Sequence, residues 1–317
     1  MRLSNIELFR IVCMNLIVMW HINIGIGESK SLDTWSTGNF INAFSVVGVN
    51  CFLLISGYFG ISVKKSGLIK LISQCLYYSV LVSVVFAWAF NIHIDYRSMC
   101  FPLSSDVWWF MTTYLMLYLT APLVNKGLEH MNLKEISFIV LSLTIVCVWM
   151  GFCFKNPNNP SGHSYLQFLY IYVIGRLIRL ILLSESFNKS KYSLITRYGG
   201  GMFMLCTLLN MTIVKSYRYN NPLVVIAAVF LFVAFLQLKL KSNKTINSIS
   251  GTVLVAYLLH EHPLVRPLLA EKMRMIHDSF EGGVEIVCYL LVSAGVIMIA
   301  FVSEQVRKFI FTYFKKK

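Results

Sequence analysis

The sequence predicts an all-α integral membrane protein of about ten transmembrane helices with both termini in the cytoplasm, and three observations predict it. Of 317 residues, 57% are apolar and 13% charged, and the mean hydropathy is +0.67, so more apolar surface exists than one soluble core can bury. Apolar runs near the ~20 residues needed to cross ~30 Å of hydrocarbon recur along the whole chain, separated only by short polar stretches. Lysines and arginines flank these runs instead of forming one stripe, so the formal net charge of +14 reads as membrane topology and not as a nucleic-acid surface.

The apolar windows place helices at roughly 6–26, 42–63, 68–90, 107–125, 135–154, 164–184, 198–214, 222–238, 250–270 and 283–304. No connector is long enough for a domain, so residues 1–317 form a single transmembrane domain. The connectors carry loop residues, as in Glu28-Ser-Lys-Ser-Leu-Asp33, Lys155-Asn-Pro-Asn-Asn-Pro-Ser-Gly162 and Ser216-Tyr-Arg-Tyr-Asn-Asn-Pro222. With ten spans, Lys30, Arg97, Lys155, Lys215, Arg218, Arg266, Lys272 and Arg274 fall opposite the amino terminus, leaving 20 of the 28 cations on its side. The positive-inside rule then assigns both termini to the cytoplasm. Arg2 and the apolar stretch after it resemble a signal peptide, but no small-residue cleavage site follows Gly25 to Gly27, so the first span is expected to stay.

Six of the eight cysteines (Cys13, Cys51, Cys75, Cys147, Cys206, Cys288) lie inside apolar runs, and Cys100 and Cys153 sit near loops without metal-ligand spacing, so neither a disulfide framework nor a metal is expected. Gly-rich phosphate loops, HExxH and GxSxG are absent from the sequence, which removes the common soluble-enzyme readings.

The first helix carries the chemistry. Arg10 and His21 interrupt an otherwise apolar run and are eleven residues apart. At ~100° per residue the rotation is three turns plus ~20°, so both side chains project from nearly one face, ~16 Å apart along the axis. Arg10 is thus placed at the cytoplasmic boundary and His21 near the bilayer midplane. A buried imidazole suits proton abstraction from a hydroxyl, and a guanidinium suits an anionic donor. The bland alternative is that His21 only bonds a neighbouring helix and Arg10 is an anchor paired with Glu7 one turn back.

These residues resemble the membrane-bound acyltransferase-3 family, whose first helix is marked by an Arg, ten intervening residues and a His. Other stretches agree. Leu3-Ser-Asn-Ile-Glu-Leu-Phe-Arg10 resembles the family opening, and Cys51-Phe-Leu-Leu-Ile-Ser-Gly-Tyr58 its second helix. Trp108-Trp-Phe110 with Tyr114, Leu117, Tyr118 and Pro122 is similar to its Trp-Phe helix, and Ala256-Tyr-Leu-Leu-His260 to its late Tyr-Leu-Leu-His segment. One departure is that Lys64-Lys-Ser-Gly-Leu-Ile-Lys70 stands where many members carry Arg-x-x-Arg, which keeps charge but not the bidentate fork. The resemblance implies O-acylation, with acetyl-CoA the expected form of a cytoplasmic acyl-CoA donor. Its phosphates would meet Arg10, Lys64, Lys65 and Lys70, and its acyl group would reach His21, acting as general base or transient acyl carrier. The implied acceptor is a hydroxyl of a surface polysaccharide, exopolysaccharide or lipid-linked glycan at a bacterial cytoplasmic membrane.

His260-Glu-His262 lies at a depth comparable with His21, and His260 is the expected inward residue at the acceptor site. Successive side chains diverge by ~100°, so the three cannot share one cavity. Pro263 and Pro267 should bend this helix. Trp109 and Tyr114 are candidate sugar contacts, with an aromatic belt as the plain alternative. The rival function is a proton-coupled transporter or lipid-linked glycan flippase, for which the sequence offers neither an inverted repeat nor evident broken helices.

Overall fold

The computed structural model describes residues 3–27, 34–159, 161–184 and 189–315. Arg2, the Glu28 to Asp33 connector with Lys30, Pro160, Lys316 and Lys317 lie outside the described residues, as do the side chains of Lys189, Lys191 and Lys315. Among the described residues every regular element is helical. In chain order they are α1 (Ser4–Ile26), α2 (Thr37–Ser45), α3 (Gly48–Phe59), α4 (Lys65–Phe90), α5 (Tyr96–Cys100), α6 (Trp109–Glu129), α7 (Leu133–Thr144), α8 (Tyr165–Leu183), α9 (Lys189–Leu209), α10 (Pro222–Gln237), α11 (Lys244–Ser250), α12 (Val253–His260), α13 (Val265–His277) and α14 (Gly282–Lys315). Helices α7 and α9 each end in a wider π-type segment, Ile145–Cys153 and Asn210–Val214.

Among the described residues, six helical stretches are long and apolar enough to cross a membrane: α1, α2 with α3, α4, α7 with its π segment, α8 and α14. The sixteen residues of α10 span ~24 Å, short of the hydrocarbon thickness. Apolar side chains left on the outside, such as Trp88 on α4 and Leu291, Ile299 and Phe309 on α14, are more than half exposed, a surface that fits lipid and not water.

Local chemistry sets the boundaries. Asn132 and Glu135 close a capping box at the start of α7, and Ser164, Asn221 and Asn243 cap α8, α10 and α11. Gly27 ends α1 at φ +94°, a left-handed conformation that costs a residue without a Cβ little.

Two expectations are corrected. The second window, 42–63, lies about five residues further toward the amino terminus, as one candidate span Thr37–Phe59 made of α2 and α3 with a turn at Val46 and Val47. The ninth, 250–270, is α11, α12 and α13, broken by a turn at 261–264, so a broken helix is present after all. Pro263 explains the second break, because it lacks the N–H that would bond the Leu259 carbonyl and disfavours helical geometry at His262.

The chain divides into two compact units, residues 1–45, 70–108 and 240–317 in the first, and 46–69 and 109–239 in the second. In the first, α1 packs against α2, α11, α12, α13 and α14. Several polar groups along this apolar helix find a partner on a neighbour, as an unsatisfied group in a dry interior costs free energy. Ser4 donates to Asn247, Ser250 donates to Glu7, Ser293 donates to Asn15, and Asn23 takes a bond from the Tyr289 hydroxyl and gives one to the Gly38 carbonyl. Contacts advance in the same sense along α1 and along α11 to α12, so those segments run parallel. Between α4 and α14, Glu304 is fully buried and accepts two bonds from Arg307, with Gln74 and Tyr78 completing its shell.

In the second unit, α3 and α8 cross backbone to backbone. A Cβ on Gly57 would lie 2.0 Å from the Tyr172 carbonyl oxygen, and one on Gly175 would lie 2.5 Å from that of Leu54. Gly57→Ala is therefore expected to cost about 1–3 kcal/mol by overpacking and to lower the thermal midpoint of the detergent-purified protein. Gly127→Ala, where an added methyl meets nothing within 4 Å, should leave that midpoint unchanged or raise it.

A buried histidine pair and its carboxylate

The first unit brings together residues far apart in sequence. His21 projects from α1, His260 is the last residue of α12, and Glu261 opens the turn that follows. His21 Nδ1 lies 2.9 Å from His260 Nε2, and 3.4 Å from Glu261 Oε1. The exposures are 8%, 2% and 9%, so all three are removed from bulk solvent.

The hydrogen-bond network assigns the protons. His260 Nδ1 stands 2.7 Å from the Ala256 carbonyl oxygen, which can only accept, so in the neutral pair that nitrogen carries the proton and Nε2 carries the lone pair. His21 must then donate from Nδ1, which puts its own lone pair on Nε2. Glu261 Oε1 is buried without a hydrogen bond of its own, and Oε2 is 3.9 Å from Arg266 Nη1. A positive charge gained by His21 would therefore find a carboxylate oxygen within 3.4 Å. His21, His260, Glu261 and Arg266 also line a small cavity of about 10 Å³, room for one water molecule.

The break after His260 decides which side chains meet. A continuous helix would have turned Glu261 ~100° away from His260. Because α12 ends there, Glu261 leaves the helical path at φ −91°, ψ 3° and joins the pair, while His262 turns to a different cavity and packs edge-on against Trp108 at 5.8 Å. Glu261 was not singled out in the sequence as a partner of His21; a carboxylate between two histidines just before a proline was the available signal. The ligand atoms of His21, His260 and Glu261 all lie within 4.8 Å of one another, the one such grouping of three among the described residues. The imidazole nitrogens at 2.9 Å are at hydrogen-bond distance, closer than the ~3.3 Å between two nitrogens of a tetrahedral zinc site with bonds of about 2.0 Å.

The other candidates fall elsewhere. Arg10, whose side chain is 39% exposed, faces Glu7 at 3.8 Å, the anchor pairing foreseen for it, and lies ~16 Å along α1 from the histidines. Lys64 and Lys65 belong to the second unit and Lys70 to the first, and all three are exposed. Lys64 immediately precedes α4 and Lys65 opens it, where first-turn N–H groups and the helix dipole favour an anion. The approach to this end is fixed by side chains of the second unit. The Tyr118 hydroxyl bonds both backbone groups of Lys64, the Tyr172 hydroxyl takes the Ile61 N–H, and Asn125 donates to the Ile61 carbonyl. Trp109 opens α6 and packs on His163 at 4.4 Å and Tyr219 at 5.7 Å, and Tyr114 stacks on Phe110. Glu285, in the first turn of α14, meets His277 Nδ1 at 2.6 Å.

The tautomers are testable without an activity. In ¹⁵N-histidine-labelled protein, the nitrogen shifts of His21 and His260 should each report a proton fixed on Nδ1. His260→Ala should convert the His21 signal to a mixture of tautomers; a mixture already present in the unaltered protein would contradict the assignment.

The chain matches the family model described as an acyltransferase domain, acyltransferase 3, over residues 3–307. No curated protein and no solved structure matches it. With this match over nearly the whole length and six apolar membrane-length helices, the chain belongs to the acyltransferase-3 family and is a multi-pass membrane acyltransferase.

Proposed function

We propose that the protein transfers an acyl group, acetyl in the simplest case, from cytoplasmic acyl-CoA to a hydroxyl of a surface polysaccharide or lipid-linked glycan at a bacterial cytoplasmic membrane. The observation that carries this reading is the 2.9 Å bond from His21 Nδ1 to His260 Nε2, which supports a lone pair held on His21 Nε2.

In this mechanism the acceptor oxygen attacks the thioester carbonyl as its proton passes to His21 Nε2. Glu261 offsets the charge on the imidazolium, and the carbon–sulfur bond breaks to release the thiolate, which takes up that proton. His260 is a positioning residue that holds the His21 ring and its tautomer. Arg10, Lys64, Lys65 and Lys70 attract the donor phosphates, the lysines assisted by the amino terminus of α4. With both termini in the cytoplasm, as the cation distribution supports, Arg10 and the start of α4 face the donor and the far end of α1 faces the acceptor.

His21→Ala, assayed at matched membrane expression, should lower acyl transfer at least ~10²-fold; full activity would sink the mechanism. His260→Ala should lower kcat and leave the KM for acyl-CoA unchanged. Arg10→Ala and the Lys64→Ala, Lys65→Ala double variant should do the reverse, raising that KM by roughly tenfold, about 1.4 kcal/mol, with a smaller sensitivity to salt than the unaltered enzyme.

A further inference from the structure

A second cavity in the first unit is larger than the one beside the histidine pair. It encloses about 160 Å³ between the far end of α4, the 92–95 segment, α5 and the 262–264 turn. Ser79, Ser83, His93, Asp95, Ser98 and His262 supply the polar part of its lining, and isoleucine, methionine, valine, proline and leucine side chains supply the larger apolar part. His262 is 4% exposed and is held in place twice: its ring packs on the buried Trp108, and its Nδ1 accepts a bond from the Leu264 N–H at 3.2 Å. In the neutral ring this leaves the proton on Nε2, a donor on a fixed side chain that lines the cavity. Asp95 caps α5 through Oδ1, accepting from the N–H groups of Arg97 and Ser98, and its carboxylate has further lone pairs that can accept. A hydrogen bond from the Ser98 hydroxyl, followed by these backbone bonds, holds its carboxyl below the usual carboxylate range, so it is charged at neutral pH.

A donor and an acceptor are therefore set among apolar surface around a volume near the ~150 Å³ that encloses one six-membered ring, which suits the mixed polar and apolar faces of a sugar. An apolar acyl chain would strand these groups, and an anionic headgroup would meet the Asp95 carboxylate. A neutral ring bearing several hydroxyls satisfies both kinds. The cavity is also close to the proposed base. His262 follows His260 by two residues, which places their Cα atoms within ~7.6 Å.

Resting on the acyl-transfer reading above, we propose that this cavity is the acceptor subsite and takes one neutral, polyhydroxylated sugar ring, with His262 donating a hydrogen bond from Nε2 and Asp95 accepting one. The ring hydroxyl nearest the 260–261 corner is the one acylated.

The test separates donor from acceptor use. Hydrolysis of acetyl-CoA by purified enzyme without glycan, in which water stands in for the acceptor hydroxyl in the attack that His21 assists, releases thiol and reports the donor side, and base-released carboxylic acid from the surface glycan of cells lacking the protein and complemented with each variant reports transfer. His262→Ala, which removes the donor, and Ser83→Phe, which fills the cavity, should each lower glycan acylation at least tenfold with thiol release within twofold of the unaltered enzyme. His262→Gln, which restores an N–H donor, should recover a substantial part of it. If both variants acylate glycan normally, or if both fold and lose thiol release together with acylation, the cavity is not a separate acceptor subsite. If the unaltered enzyme releases no thiol and adds no acyl group, the acyl-transfer reading itself fails.

Discussion

The first unit is organised around a requirement to satisfy two imidazoles where water does not reach. His21 interrupts an apolar helix, and an unpaired polar group there would cost several kcal/mol. His260 meets that need and has its own proton bound by the Ala256 carbonyl, one turn earlier in α12. The chain of bonds from carbonyl to His260 to His21 runs in one direction only, because a backbone carbonyl cannot donate. A structural necessity of burial thereby becomes a chemical property, since it fixes which nitrogen of His21 carries a lone pair.

The interrupted helix makes this possible. Ending α12 at His260 removes the helical constraint that would have sent Glu261 elsewhere, and Pro263 secures the end by withholding an N–H. The same corner distributes three consecutive side chains among two cavities: His260 and Glu261 beside His21, and His262 beside the larger polar space. Broken helices also build substrate sites in transporters. Here the free corner carries a carboxylate and two histidines, which suits proton transfer at a fixed position, and the family match agrees with bond chemistry.

The donor end proposed above rests on different physics. Lys64 and Lys65 remain exposed at the start of a long helix, where charge acts over distance and needs no tight fit. The backbone leading to them is nonetheless held by Tyr118, Tyr172 and Asn125. The residues of the Trp-Phe segment part company: Trp108 is fully buried against His262 in the first unit, whereas Trp109 joins an aromatic cluster with His163 and Tyr219 in the second.

The sequence by itself determined that the chain is helical and membrane-embedded, because hydropathy is a sum over neighbouring residues and needs no fold to be read. It determined equally that Arg10 and His21 share a side of the first helix, since helical rotation is fixed by backbone geometry. The resemblance to one family was legible in the sequence too, and the family model matches residues 3–307. Only the tertiary structure decided that His260 would reach His21, 239 residues away, and that Glu261 would join them. Spacing along a chain predicts directions only while one helix continues, and once α12 ends at the corner, loop geometry and packing against α1 choose the partners.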